Sequence, residues 1–188
     1  MSSTYTIAVL AGTTRSDRLS DFAAHYIAEF GQSLPDVNII LAKPGDFTLP
    51  GDGNDLVGRD PHYTALTEKA DAFFIVTPEY NHSFPGSLKR MLDSEYANYA
   101  HKPVAFAGVS NGAWGGTRAV EALVPAVREM GLVATSWSVY FPKIQEMFTA
   151  DGVLRPEYKT AADKNLAYAY QELLWMAQAL RWGRENLS

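Results

Sequence analysis

The most constraining stretch of this chain runs from Ala72 to Asp93. Five apolar residues, Ala72-Phe73-Phe74-Ile75-Val76, give way to a polar turn bounded by Pro78 and Pro85, and a helical pattern follows. Unbroken apolarity over that length is the pattern of a strand covered on both faces. Pro85 suits a first helical turn, where its missing N–H would have had no partner, and Leu88, Met91 and Leu92 then share one face. Strand, loop and helix in this order put Pro78 to Ser83 at the carboxyl end of a central strand. In an open α/β sheet that edge is where ligands bind, although the loop taken alone is equally a plain connection.

The rest of the chain repeats this unit. Tyr5 to Ala11 reads as a strand, Gly12 to Ser20 as a polar loop, and Phe22, Ala23, Tyr26, Ile27 and Phe30 as the apolar side of a helix that stops at Gly31. Such a junction gathers unpaired backbone N–H groups at the positive end of a helix dipole. Thr13, Thr14, Ser16 and Ser20 add hydroxyls there, and Arg15 and Arg18 add full charges. That set suits a phosphate monoester; the alternative is an exposed loop with two solvated arginines. The spacing is neither a Walker A loop nor a G-x-G-x-x-G turn.

Val37 to Leu41 is a short strand suited to a sheet edge. The connection from Lys43 to Pro61 holds Gly45, Pro50, Gly51, Gly53 and Gly58, turn chemistry that reads as variable surface or as a cover over a ligand site. Tyr63, Leu66 and Ala70 mark a short helix before the central strand. Pro103 to Gly108 is the fourth strand, and the loop Val109 to Gly116 leads into a helix carrying Ala119, Val120, Leu123, Val127 and Met130, with Gly131 as its stop. Gly112, Gly115 and Gly116 either let a flat ligand approach the backbone or serve only tight turns and close helix packing. Leu132 to Thr135 is the fifth strand, with Val139-Tyr140 as an extension past Trp137, and Leu166, Tyr170, Leu173, Ala177 and Leu180 line a final helix.

This alternation predicts an α/β fold: a flavodoxin-like, doubly wound five-stranded parallel sheet of order 2-1-3-4-5 in a three-layer sandwich, as one domain over residues 1–188. The loops after strands 1, 3 and 4 then lie side by side. A phosphate site beside two loops suited to a planar ring fits FMN.

Composition narrows the chemistry. At 188 residues and 47% hydrophobic content the chain can bury a full core. Sixteen basic against 21 acidic residues, a net charge of −5, argue against a nucleic-acid or anionic-membrane partner. The absence of cysteine excludes disulfides, thiolate metal sites and thiol redox chemistry, so electrons would need a bound cofactor. His25, His62, His82 and His101 have no ligand spacing, and no metal is expected. No apolar run approaches a membrane span and no basic segment leads into a long apolar one, which makes the cytoplasm the default location.

Three motifs resemble the NADPH-dependent FMN reductases, a family that includes quinone, azo-dye and chromate reductases. The first is Gly12-Thr13-Thr14-Arg15-Ser16, the second Pro78-Glu79-Tyr80-Asn81-His82-Ser83-Phe84-Pro85-Gly86-Ser87-Leu88-Lys89, and the third Ser110-Asn111-Gly112-Ala113-Trp114-Gly115-Gly116-Thr117-Arg118-Ala119. The resemblance implies FMN as cofactor and NAD(P)H as co-substrate. It makes Thr13, Arg15, Ser16 and Arg18 phosphate contacts, with Ser20 in the same loop, and sets Pro78, Glu79, Tyr80, Asn81, Ser110, Gly112, Gly115 and Gly116 around the isoalloxazine. It implies no catalytic side chain: hydride passes from NAD(P)H through flavin N5 to a quinone-like acceptor, helped by backbone groups at Gly115 and Gly116. It also implies a homodimer or homotetramer, for which Phe84, Tyr96 and Tyr99 are a suitable interface composition. Thr13 stands where the family often has serine, Arg18 replaces a further serine, Arg90 and Ser94 stand where Asn and Trp are usual, and residues 136–188 carry no family signature. The alternative is a flavodoxin-like electron carrier that does not oxidise NAD(P)H itself. Phosphate loops of that group resemble hydroxyl-rich sequences without arginine, unlike this one.

Overall fold

In the computed structural model, which describes residues 4–49 and 59–187, each apolar run becomes a strand of one sheet. The strands β1 (Tyr5–Ala11), β2 (Val37–Ala42), β3 (Ala72–Pro78), β4 (Pro103–Val109) and β5 (Val133–Phe141) are all parallel and lie in the order β2-β1-β3-β4-β5. The helices are α1 (Ser20–Gln32), α2 (Pro61–Lys69), α3 (Gly86–Asp93), α4 (Thr117–Glu129), the short α5 (Ile144–Met147) and α6 (Pro156–Asn186). Alternate strand residues feed two cores. Ile7, Val9, Phe74 and Val76 pack with α1 and α6, whereas Ala8, Leu10, Phe73 and Ile75 pack with α2, α3 and α4. The expected three layers follow, and so does the unbroken apolarity of β3, since neither of its faces meets water.

Some boundaries differ from expectation for physical reasons. Gly31 does not stop α1 but lies inside it. A Cβ there would sit 2.4 Å from the Tyr170 hydroxyl oxygen, so the glycine makes room for a ring from α6. That hydroxyl donates to the Ile27 carbonyl at 2.8 Å and locks the two helices together. β5 is one strand with a bulge: Val104 pairs with Ala134 and Phe106 with Ser138, which sets Thr135 to Trp137 against Ala105 alone. Glu172 of α6 accepts from Ser136 N and Oγ, each at 2.9 Å, and from Trp137 N at 3.1 Å, satisfying the groups the bulge frees. Asp60 caps α2 through the His62 amide at 2.8 Å and also takes the Thr48 amide at 2.7 Å. Pro50, Gly51, Gly53 and Gly58 of the long connection lie outside the described residues.

The amino edge of the sheet is fastened by Asp71. Its carboxylate accepts from the Thr6 amide at 2.9 Å and from Arg181 Nε at 2.8 Å, with Arg184 at 3.8 Å. Arg181 also lies over the Tyr5 ring at 4.3 Å, and Arg184 donates to the His101 carbonyl at 2.6 Å. The last turns of α6 are thereby tied to the first residues of β1.

Candidate functional site

At the opposite, carboxyl edge, three loops meet. The first leaves β1 with the Gly12 amide bonded to the Val76 carbonyl at 2.8 Å. Thr13 turns inward and is buried. Its Oγ1 accepts from the Arg15 amide at 3.2 Å and shares a hydrogen bond of 2.9 Å with the Tyr80 hydroxyl. The exposed Arg15 lays its guanidinium over the Tyr80 ring, 4.5 Å from the centroid. Arg18 instead folds back, donating through Nε to Asp21 at 2.7 Å and through a terminal nitrogen to the Arg15 carbonyl at 2.7 Å. The hydrogen bond to Asp21 raises the Arg18 pKa against the opposing pull of burial. Ser16 is exposed, and Ser20 is buried at the start of α1.

The second loop is a tight turn. Tyr80 and Ser83 exchange two backbone hydrogen bonds at 2.8 and 3.0 Å, and Asn81 and His82 between them both have positive φ, 50° and 65°. Asparagine and histidine are among the few non-glycine residues that adopt that region, and the paired Tyr80–Ser83 bonds close the turn around them. The Glu79 amide donates to the Val109 carbonyl at 3.1 Å and prolongs the contact between β3 and β4. Glu79 Oε1 accepts from Arg118 at 3.1 Å. Its Oε2 is buried and, among the described residues, has no donor. Arg118 also reaches over the exposed Trp114 ring at 5.4 Å.

The third loop is clasped from below by residues that carry no recognisable motif. The Ser110 amide donates to the Phe141 carbonyl at 3.2 Å, the Lys143 amide to Gly112 at 3.0 Å and the Ile144 amide to Ser110 at 3.1 Å. Ser110 Oγ donates to the Gly112 carbonyl at 3.0 Å, and Gln145 donates to the Asn111 carbonyl at 3.2 Å. Gly115 and Gly116, at φ 61° and 83°, press against the sheet. Added Cβ atoms would lie 3.0 Å from Tyr140 Cβ and 2.4 Å from the Val109 amide nitrogen respectively. Their need for glycine therefore comes from close packing and positive φ, whereas a Cβ on Gly112 would meet only Ser110 Oγ, at 4.0 Å.

Between the loops lies a cleft of about 260 Å³. Of the residues expected from sequence, Arg15, Arg18, Ser20, Pro78, Glu79, Tyr80 and Ser110 line it. Thr13, Ser16, Asn81, Gly112, Gly115 and Gly116 are not among its lining residues. Asp17, Leu19, Val109, Asn111 and Ile144 also line it, beyond the site residues expected from sequence, Asn111 from within the third motif. Ile144 had no local signal, being placed by its bond to Ser110. Tyr99 corrects an expectation: it is fully buried, its ring 5.4 Å from that of Phe73 and its hydroxyl 2.6 Å from that of Tyr63, so it offers nothing to a subunit contact. Burial raises the pKa of both phenols. Tyr96 remains exposed and Phe84 half-buried.

The model of the family described as NADPH-dependent FMN reductase matches residues 5–146. A quinone reductase of Pseudomonas putida is 32% identical over 126 residues, 62% of this chain and 66% of that protein. An NAD(P)H-dependent FMN reductase of Schizosaccharomyces pombe is 34% identical over 124 residues, 58% of this chain and 59% of that protein. The chain thus spans less than two thirds of the length of these curated relatives. Among solved structures, the flavoenzyme NAD(P)H:(acceptor) oxidoreductase from Paracoccus denitrificans superposes with a TM-score of 0.74 at 28% identity, covering 93% of this chain and 98% of that one.

Proposed function

Since the chain belongs to the NADPH-dependent FMN reductase family, we propose that it is an FMN-dependent NAD(P)H oxidoreductase acting on a small, quinone-like acceptor. The observation that carries this is the make-up of the cleft: Arg15, Arg18 and Ser20, with Asp17 beside them, on the loop before α1, and toward the loops after β3 and β4 a buried acceptor, Glu79 Oε2, that lacks a donor among the described residues. FMN fits both ends. Its phosphate suits Arg15, Ser16 and Ser20 at the start of α1, where the helix dipole favours an anion. Its ring bears an imide N–H of the kind that Glu79 Oε2 needs, and Arg118 offsets the Glu79 charge. Thr13 and Arg18 belong to the phosphate end with their side chains already bonded within the site. Pro78, Tyr80, Asn81, Ser110, Gly112, Gly115 and Gly116 form the ring end, where fixed backbone dipoles are suited to stabilise developing negative charge.

When bound, the flavin supplies the redox centre between a reduced nicotinamide and the acceptor. The chain's own contribution is to hold and orient: Arg15 at one end, the tight turn at Asn81 and His82 at the other, and residues 141–145 beneath. The names of the relatives, quinone reductase and NAD(P)H-dependent FMN reductase, support the donor and acceptor classes. A nicotinamide donor also supports a cytoplasmic location. We further propose assembly as a homodimer or homotetramer through a surface that includes Tyr96 and Phe84, which light scattering at micromolar concentration would refute by showing a monomer.

The decisive experiment is anaerobic. The purified protein with FMN is expected to lose its yellow colour on addition of NADH or NADPH and to regain it on addition of a quinone. Bound flavin that responds to neither nucleotide over minutes would overturn the reductase reading in favour of an electron carrier.

A further inference from the structure

We propose that Tyr80 is a positioning residue for the phosphate end of the cleft, so that preference for a phosphorylated flavin is governed from the ring loop. The inference rests on the FMN reading above and adds a role to a residue otherwise assigned only to the ring border.

Three contacts converge on this side chain and its partner. The Tyr80 hydroxyl and Thr13 Oγ1 are 2.9 Å apart, the Arg15 amide donates to the same Oγ1 at 3.2 Å, and the Arg15 guanidinium rests 4.5 Å over the Tyr80 ring. Thr13 is 2% exposed, so its hydroxyl has little water to turn to if the tyrosine is lost. Tyr80 has a rigid mount. The two backbone bonds to Ser83 and the positive φ at Asn81 and His82 fix where its ring stands. The loop that carries Arg15 is held through its backbone, by the Arg18 bond to the Arg15 carbonyl and the Arg15 amide bond to Thr13, but the exposed guanidinium itself rests on the Tyr80 ring. Of the two partners, Arg15 is therefore the one being placed. A cation held in position before binding loses less freedom when an anion arrives, and that advantage reaches only a ligand bearing the anion.

The test compares FMN with riboflavin, which lacks the phosphate, by fluorescence titration of the apoprotein. Tyr80→Phe keeps the ring and removes the hydroxyl, and is expected to weaken FMN about threefold to tenfold while leaving riboflavin within about twofold. Thr13→Val removes the other half of the bond and also the acceptor of the Arg15 amide, so it should weaken FMN at least as much, and the double variant should be no weaker than Thr13→Val alone, because the contact that Tyr80→Phe breaks is already gone. In the absence of flavin, trypsin should cut Tyr80→Phe faster than wild type after Arg15. An equal loss of both flavins, an unchanged FMN-to-riboflavin ratio, or multiplicative losses in the double variant would overturn the inference while leaving FMN binding intact. Wild-type protein that binds neither flavin, or both equally well, would instead sink the phosphate site itself, and this role with it.

Discussion

Gly116→Ala separates two reasons for a glycine at the candidate site. The residue sits at φ 83° just before α4, and a Cβ built on it would lie 2.4 Å from the Val109 amide nitrogen, 2.9 Å from the Gly108 carbonyl carbon and 3.0 Å from Gly108 Cα. These are backbone atoms of β4, a strand paired on both sides, so relief requires lifting the start of α4 from the sheet. The left-handed conformation with a Cβ costs about 1–2 kcal/mol, and overpacking a rigid contact adds about 1–3 kcal/mol. A loss of about 2–5 kcal/mol is expected, or a fall in Tm of about 4–20 °C for a domain of this size. Urea unfolding of the protein without flavin measures it. Gly112→Ala is the control: its Cβ would meet only Ser110 Oγ at 4.0 Å, so its stability should stay within about 0.5 kcal/mol of wild type. If Gly116→Ala is as stable as wild type, the packing argument is wrong. If it is stable yet no longer takes up FMN, the glycine is needed for ligand approach instead.

Three further outcomes are expected. Arg15→Ala should weaken FMN by about tenfold to a hundredfold, the worth of one charge-assisted hydrogen bond, and an unchanged affinity would remove Arg15 from the phosphate end. Asp71→Asn weakens the ties from Arg181 and Arg184 and should cost about 1–3 kcal/mol in urea unfolding; no change would show that the fastening contributes nothing to stability. Burial pulls the Lys102 ammonium from its usual 10.5 down to about 8, although it donates to the Thr67 and Glu68 carbonyls. The unfolded chain then binds this proton more readily than the folded one, so stability should rise with pH between about 8 and 10.5. Lys102→Met should flatten that rise in urea midpoints taken across the window, and an unaltered slope would refute the assignment.

Much of the fold is legible because parallel strands are covered on both sides: β1, β3 and β4 are apolar runs that need no periodicity to be recognised. The cleft is legible where its chemistry is contiguous, as in Arg15, Arg18 and Ser20 of the first loop and Pro78 to Tyr80 of the second. What escapes is set by residues distant in sequence. Gly31 looks like a helix stop and is a space for Tyr170. Tyr99 looks like an interface aromatic until Phe73 and Tyr63 close over it. Trp137 seems to interrupt β5 because the bulge at Thr135 to Trp137 is completed by Glu172. Ile144 has no signature since α5 exists only where residues 141–145 bond to the loop after β4. Arg18 is the exception: Asp21, three residues on, was already a visible partner.

The position of α6 has a consequence for how the protein is made. β1 is synthesised before β3 and β4, yet the face they present through Ile7, Val9, Phe74 and Val76 is completed by Leu166, Tyr170 and Leu173, with Phe74 and Tyr170 rings 5.3 Å apart. At about 5–20 residues per second, a nascent chain would hold part of that apolar face open for several seconds after β3 emerges. The parallel pairings are long-range, and their last cover arrives from the ribosome later than every strand. α1 covers the face meanwhile, joined after β5 by Ile144, Met147, Phe148 and Leu154, so the apolar patch that waits longest is the one reserved for Leu166, Tyr170 and Leu173.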